Sequence, residues 1–154
     1  LENKEEDAVK VIYYPIYLSG ADHLLNLSYY EIIEGSHLGV FPSYYEPWGY
    51  TPLECGSLGV SSVTTDLAGF GRFFCQECEQ GAIPGIYMLN RMNKSYDEVV
   101  KQMTDILHNF QSLNKQERTQ NKMVARKITA TCDWKIFVEN YVEAHNRALN
   151  SPQS

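Results

Sequence analysis

The sequence has 154 residues, of which 44% are hydrophobic, so it is long enough for one domain with its own core. Its formal net charge of −6 argues against nucleic-acid binding as the main activity, because contacts to phosphate groups need a basic surface. No apolar run approaches the roughly 20 residues that span a bilayer, and the acidic start LENKEEDAVK is unlike a secretory signal, so we expect a soluble cytoplasmic protein without nucleic-acid or membrane partners.

Short apolar runs alternate with helix-like segments along the chain, which is the pattern of βα units on a parallel sheet. The first predicted elements are a strand from Val9 to Tyr14, a helix capped by Ser28 and running to Glu34, a strand from Leu38 to Phe41, a helix capped by Thr51 and ending near Gly59, and a strand from Val60 to Thr65. There follow a turn over Ala68 to Gly71, a short helix towards Glu79, a strand from Gly85 to Leu89, and helices from Ser95 to Phe110, Lys115 to Ile128 and Trp134 to Leu149.

The predicted fold class is therefore α/β, with a Rossmann-like parallel sheet, flanking helices and closing C-terminal helices. Residues 1–8 are predicted to be a flexible lead, 9–133 the Rossmann-like domain, 134–149 a closing helix and 150–154 a frayed tail. Three helix starts carry a capping-box signal, in which Ser or Thr is followed three residues later by Glu. The pairs are Ser28 with Glu31, Thr51 with Glu54, and Ser95 with Glu98.

The most informative stretch is FPSYYEPWGYTPLE, residues 41–54, which joins the carboxyl end of a predicted strand to the amino end of a predicted helix. Open α/β sheets bind ligands at this place. The backbone N–H groups of Gly49, Tyr50 and Thr51 are expected to point out of the helix start, where the helix dipole favours a diphosphate. Glu46 and Glu54 are expected to flank that site, one facing a sugar and the other a ribose.

Each of these residues also has a purely structural interpretation. Glu54 can complete a capping box with Thr51. Trp48, Tyr44 and Tyr45 can fill the core, which is the usual place of aromatic residues. Glu46 is harder to explain in this way, because it has no helix to cap and a buried unpaired carboxylate is costly.

The stretch VFPSYYEPWGYTPLEC, followed by GVSSVTTDLAGFG, resembles the C-terminal donor-binding domain of the glycogen synthases of the animal and fungal type. The resemblance covers most of residues 9–149. It implies a retaining glucosyltransferase with the two-domain GT-B fold, which transfers glucose from UDP-glucose to the non-reducing end of an α-1,4-glucan. It implies no cofactor, since UDP-glucose is the substrate, and no metal, since the helix dipole and basic side chains can stabilise the leaving diphosphate.

The resemblance also implies roles for individual residues. Glu46 matches a catalytic carboxylate that lies beside the donor glucose and stabilises the transition state electrostatically, and Glu54 matches a glutamate that binds the ribose hydroxyls. The turn whose backbone amides hold the diphosphate and the glucose is matched by Trp48, Gly49, Tyr50 and Thr51. Tyr17 and Tyr29 match two aromatic rings that sandwich the uracil of UDP.

Two departures from the family pattern affect the prediction. The segment from Lys115 to Lys127 has five basic residues and one acid, but lacks the paired arginines with which regulated members bind glucose 6-phosphate, so we expect a solvated helix face. The chain also begins part-way through the second GT-B domain. We therefore expect the glucan acceptor to bind a missing N-terminal domain, and the isolated chain to be inactive.

Two alternative functions stay open at this point. The chain could be a UDP-binding or oligomerising module without activity, or a phosphorylase-like enzyme of the same fold, and it could form a homo-oligomer.

Cys75 and Cys78 have the CxxC spacing of redox and metal motifs, but without a second pair they are predicted to be plain thiols. His37 could line the donor cleft or be an ordinary core or surface histidine.

Overall fold

The computed structural model describes residues 2–75 and 84–150, and the chain divides into two compact units. The first unit runs from Leu1 to Ile32 and the second from Ile33 to Ser154. Within the described residues, no helix has the length and apolar character needed to cross a membrane.

The predicted first strand, Val9 to Tyr14, is wrong. This stretch joins no ladder among the described residues, and Ile12 and Tyr13 are 84% and 76% exposed. The side-chain amide of Asn3 instead pairs with the backbone of Val11, donating to its carbonyl and accepting from its N–H, both at 2.8 Å. A strand forms only where a neighbouring strand takes its backbone groups, and the apolar pattern does not supply that neighbour.

Helix α1 (Tyr29–Gly35) begins with the predicted capping box. The Ser28 N–H donates to the Glu31 carboxylate at 2.7 Å, and the Glu31 N–H donates back to the Ser28 hydroxyl at 3.4 Å. The pKa of Glu31 is lowered, chiefly by the hydrogen bond from the Ser28 N–H. The Ser28–Glu31 prediction is confirmed.

A parallel sheet lies in the second unit. Among the described residues its strands are β1 (Leu38–Val40), β2 (Ser61–Thr65) and β3 (Ile86–Leu89). β2 lies between the other two strands, with Gly39 of β1 opposite Ser62. Every residue of β2 and β3 is buried, as expected for a parallel sheet that is covered on both faces. These strands confirm the predicted ones from Leu38 onwards, apart from single residues at their ends.

The described residues hold five further helices. They are α2 (Tyr50–Ser57), α3 (Gly69–Phe74), α4 (Tyr96–Ser112), α5 (Lys115–Ala130) and α6 (Trp134–Asn150). The predicted cap at Thr51 is wrong, because α2 already begins at Tyr50 and its N-cap is Gly49. The turn predicted over Ala68 to Gly71 is also wrong, since α3 begins at Gly69 with Ala68 as its N-cap. The part of the predicted short helix towards Glu79 that follows Cys75 lies outside the described residues.

Side chains from the two faces of the sheet form two core clusters. Along β3, Tyr87 and Leu89 point to one face and Ile86 to the other. The first cluster contains Val63, Tyr87, Leu89 and, from α4, Ile106. The second contains Ile86, Phe70 from α3 and Ala125 from α5. Helices therefore cover both faces, which confirms the α/β fold class with a parallel sheet, flanking helices and closing C-terminal helices.

Candidate functional site

The carboxyl ends of the three strands lead into loops at one edge of the sheet. β1 continues into residues 42–49, which we call the 42–49 loop, β2 into residues 66–68 and β3 into residues 90–92. The hydroxyl of Thr65 donates to the carbonyl of Ser43 at 3.0 Å, which ties the 42–49 loop to the end of β2. This is the edge at which open α/β sheets bind ligands.

The backbone of Glu46 is fixed on both sides by the segment that leads into α3. The Glu46 N–H donates to the carbonyl of Leu67 at 3.3 Å, and the Gly69 N–H donates to the carbonyl of Glu46 at 3.0 Å. Two residues on, the Phe70 N–H donates to the carbonyl of Trp48 at 2.7 Å. Glu46 is half-buried, and its backbone belongs to a short parallel bridge and not to a free loop.

Two glycines allow the 42–49 loop to lie this close to the segment that leads into α3. A Cβ added at Gly69 would overlap the carbonyl oxygen of Pro47, so the two segments could not lie this near with any other residue at position 69. Gly49 has φ 109°, which L side chains rarely adopt. A Cβ there would lie 3.5 Å from Cγ of Glu46, so the Glu46 side chain lies beside Gly49 at the start of α2.

The first turn of α2 presents backbone donors at the same edge. The N–H groups of Tyr50 and Thr51 have no partner within the helix, and Pro52 has no N–H. Tyr50 and Thr51 are exposed, and no described side chain caps the helix at Gly49. The first turn therefore offers donors and the positive end of the helix dipole to an anion.

Glu54 lies one turn inside α2 and faces a different neighbour from Glu46. It lines a groove of about 370 Å³ together with Arg126 and Asp133, at the carboxyl end of α5. Because Thr51 is the second residue of α2, a capping box between Thr51 and Glu54 does not begin this helix. The structural interpretation of Glu54 as a capping residue is therefore wrong.

The aromatic residues of the 42–49 loop have two different environments. The Trp48 ring is half-buried and contacts Phe70, Phe73 and Phe137, with centroid distances of 5.9, 5.6 and 5.7 Å. Tyr44 and Tyr45 are 74% and 78% exposed. Core packing therefore accounts for the Trp48 side chain, whereas Tyr44 and Tyr45 are not core residues.

The two predicted uracil-stacking tyrosines belong to the first unit. Tyr17 is 95% exposed, so both faces of its ring are open to a ligand. Tyr29 is half-buried at the start of α1, and its ring centroid lies 5.2 Å from that of Tyr30. Their roles stay predictions.

The comparisons with known proteins identify the family. The family model described as glycogen synthase matches residues 1–153. The chain belongs to the glycogen synthase family. It is 40% identical over 149 residues to the glycogen [starch] synthase of Neurospora crassa, 41% identical over 151 residues to isoform 1 of Saccharomyces cerevisiae, and 39% identical over 150 residues to the liver protein of Rattus norvegicus. Each match covers 97% of this chain but only 21% of the relative.

The α5 face of this glycogen synthase segment differs in part from the predicted solvated face. Lys115, Arg118 and Lys122 line an open groove with His37. The Arg118 guanidinium donates to the carbonyls of Leu113 and Gln111, at 3.0 and 3.1 Å. Arg118 thus satisfies carbonyls at the carboxyl end of α4, a structural role that sequence analysis missed because it depends on how α4 and α5 meet.

The cysteines of this family member carry no metal or disulfide site in the described residues. Cys55, Cys75 and Cys132 are free, and no described group of three or more His, Cys, Asp or Glu residues could hold a metal ion. Burial raises the pKa of the Cys55 thiol to about 11. The Cys75–Cys78 prediction falls outside the described residues, because Cys78 is not among them.

Proposed function

We propose that this chain is the donor-binding part of a retaining glucosyltransferase, which transfers glucose from UDP-glucose to the non-reducing end of an α-1,4-glucan. Membership of the glycogen synthase family supports the reaction class. The observation that carries the proposal is the position of Glu46 beside Gly49, at the first turn of α2 and at the carboxyl edge of the parallel sheet. That arrangement puts an anion site and a carboxylate next to each other.

In this proposal the first turn of α2 binds the diphosphate of UDP-glucose. The N–H groups of Gly49, Tyr50 and Thr51 would donate to phosphate oxygens, and the helix dipole would offset part of the charge that develops on the leaving UDP. Gly49 has a left-handed backbone and is itself buried, so an anion would reach this turn at the exposed residues Tyr50 and Thr51. We assign no metal and no other cofactor to this site.

Glu46 would stabilise positive charge on the glucose ring in the transition state. A carboxylate helps catalysis in this way only if its position is fixed before the reaction, so that no reorganisation is needed. The two backbone hydrogen bonds of Glu46, to Leu67 and Gly69, fix the backbone from which its carboxylate extends. Because charge develops only in the transition state, Glu46 should contribute to turnover much more than to UDP binding.

Further residues are proposed to bind the nucleoside part of the donor. The carboxylate of Glu54 would accept hydrogen bonds from the ribose hydroxyls, and the rings of Tyr17 and Tyr29 would stack on the uracil. We further propose that the glucan binds a part of the protein outside this chain, and that the protein works in the cytoplasm. A homo-oligomer is compatible with this assignment.

The test is the turnover of Glu46 variants in the full-length enzyme. Glu46→Ala and Glu46→Gln should each lower kcat about 100-fold or more, while the Kd for UDP, measured by calorimetry, stays within about 2-fold. Glu139→Ala, on the exposed face of α6, is the matched control and should leave both quantities unchanged. Retained turnover in the Glu46 variants would contradict the catalytic role. UDP binding without any glucose transfer by the unmodified full-length protein would favour a binding module instead.

A further inference from the structure

The guanidinium of Arg91 makes two contacts with the first half of the 42–49 loop. Nη1 donates to the carbonyl of Pro42 at 2.8 Å, and Cζ lies 3.7 Å from the centroid of the Tyr44 ring. A flat guanidinium can stack on a ring and donate at its edge at the same time, which a lysine ammonium cannot do. Arg91 follows β3 by two residues, so these contacts cross the sheet edge from β3 to the loop after β1.

The backbone of Arg91 is itself held in place. Its N–H donates to the Asp66 carboxylate at 2.7 Å, and the Met92 N–H donates to the same carboxylate at 3.0 Å. The Asp66 N–H in turn donates to the carbonyl of Leu89 at 3.3 Å. Asp66 therefore joins the ends of β2 and β3, and the Arg91 side chain extends from a fixed base.

The two halves of the 42–49 loop are fixed by different contacts, and Glu46 lies between them. Arg91 holds the half that contains Pro42 and Tyr44, together with the hydrogen bond from the Thr65 hydroxyl to the carbonyl of Ser43. The other half is held by the hydrogen bond from Phe70 to the carbonyl of Trp48 and by the packing of the Trp48 ring. Loss of the Arg91 side chain should therefore loosen the loop on one side of Glu46 and leave the first turn of α2 unchanged.

We propose that Arg91 is a positioning residue for Glu46, acting through Pro42 and Tyr44 and not through contact with the substrate. This inference rests on the proposed function, since the position of Glu46 affects turnover only if Glu46 is the catalytic carboxylate. Its kinetic consequence is a loss of kcat without a matching loss of donor affinity, because the donors that bind diphosphate lie in the separately fixed half.

The experiment compares Arg91→Met with Arg91→Lys in the full-length enzyme. Arg91→Met should lower kcat about 10- to 100-fold, the range expected for a displacement of a catalytic group by about 1 Å, with KM for UDP-glucose within about 2-fold. Arg91→Lys keeps a cation over the Tyr44 ring and should recover part of the lost kcat. Tyr44→Leu should lower kcat in the same way, and the double variant Arg91→Met with Tyr44→Leu should lose little more than Arg91→Met alone.

A second measurement reports on the loop without using activity. Deuterium uptake by peptides covering residues 42–46 should rise in Arg91→Met, while uptake by residues 50–57 of α2 stays unchanged. Arg147→Met, which removes an exposed arginine of α6, is the matched control and should alter neither kinetics nor uptake. If Glu46→Ala retains turnover, the proposed function fails, and deuterium uptake still decides whether Arg91 holds the loop. Unchanged uptake in residues 42–46, or equal losses of kcat and donor affinity, would overturn the positioning role.

Discussion

At Glu54, ribose binding and helix capping are two interpretations of one carboxylate. The start of α2 at Tyr50, with Gly49 as its N-cap, removes the capping interpretation. Glu54 lines a groove with Arg126 of α5, where a carboxylate can be approached by a ligand from outside the helix. Glu54 therefore occupies an interior position of α2, and ribose binding is proposed for it from the family resemblance.

Glu54→Gln separates these interpretations by experiment. An amide keeps the size of the side chain but accepts hydroxyl hydrogen bonds less strongly than a carboxylate, a difference of about 1 kcal/mol. We expect the Kd for UDP in the full-length enzyme to rise about 3- to 10-fold, with an unchanged Tm. Calorimetric titration and thermal unfolding measure the two quantities. An unchanged Kd would contradict ribose binding by Glu54.

Helix α4 shows how a capping box predicted from the sequence stabilises the start of a helix. The Ser95 N–H and hydroxyl both donate to the Glu98 carboxylate, at 2.9 and 2.8 Å, and Lys94 lies 3.1 Å from it. These contacts lower the pKa of Glu98 to about 2 from an ordinary value of 4.5, and the hydrogen bond from the Ser95 backbone N–H has the largest effect. Ionised Glu98 thus binds the helix start better than the neutral form does.

The lowered pKa of Glu98 predicts a pH dependence of stability. A carboxyl group whose pKa is lower in the folded state stabilises the fold fully above its ordinary pKa of 4.5, and this contribution is lost as the pH falls towards 2. Glu98→Gln should therefore lower the Tm at pH 6, and its difference from the unmodified protein should shrink between pH 4.5 and pH 2. Glu139→Gln, an exposed residue of α6, is the matched control. A Tm difference that persists near pH 2 would contradict this account.

Sequence patterns predicted the elements whose causes are local. The capping boxes at Ser28 and Ser95 and the buried strands β2 and β3 each depend on a few neighbouring residues. A further capping box at Asn114 and Glu117 lies outside the pattern of Ser or Thr followed by Glu, because its N-cap is an asparagine. The strand from Val9 to Tyr14 failed because a strand needs a partner that its own sequence does not specify.

The candidate site was predictable in outline from the same sequence. The order strand, loop and helix placed Glu46 and Gly49 at the carboxyl edge of the sheet, and the structure puts them side by side. The contacts that fix this arrangement were not predictable, because Gly69 and Arg91 come from the ends of other strands. Each of these residues contacts the 42–49 loop only because the fold brings together segments that are more than twenty residues apart in the chain.

Considered as a whole, the chain has fewer cations than carboxylates, with 13 Lys and Arg residues against 19 Asp and Glu residues. Its formal net charge is −6, and the guanidinium of Arg91 at the sheet edge is already engaged with Pro42 and Tyr44. The first turn of α2 supplies partial positive charge, equivalent to roughly half an elementary charge. In the proposed enzyme, further neutralisation of the diphosphate is therefore assigned to residues outside this chain.

These charges predict how the 154-residue chain behaves in isolation. Ribose contacts and base stacking each contribute on the order of 1 kcal/mol, so UDP should bind no more tightly than about 1 mM, or roughly −4 kcal/mol. Inorganic pyrophosphate, which lacks the ribose and the base, should bind more weakly still. Glucose transfer to glycogen should be absent, because the proposed acceptor site lies outside the chain and the donor site then stays open to water. Calorimetric titration and a radiolabelled transfer assay test both expectations, and micromolar UDP binding or measurable glucan synthesis by the chain alone would show that its own residues complete the site.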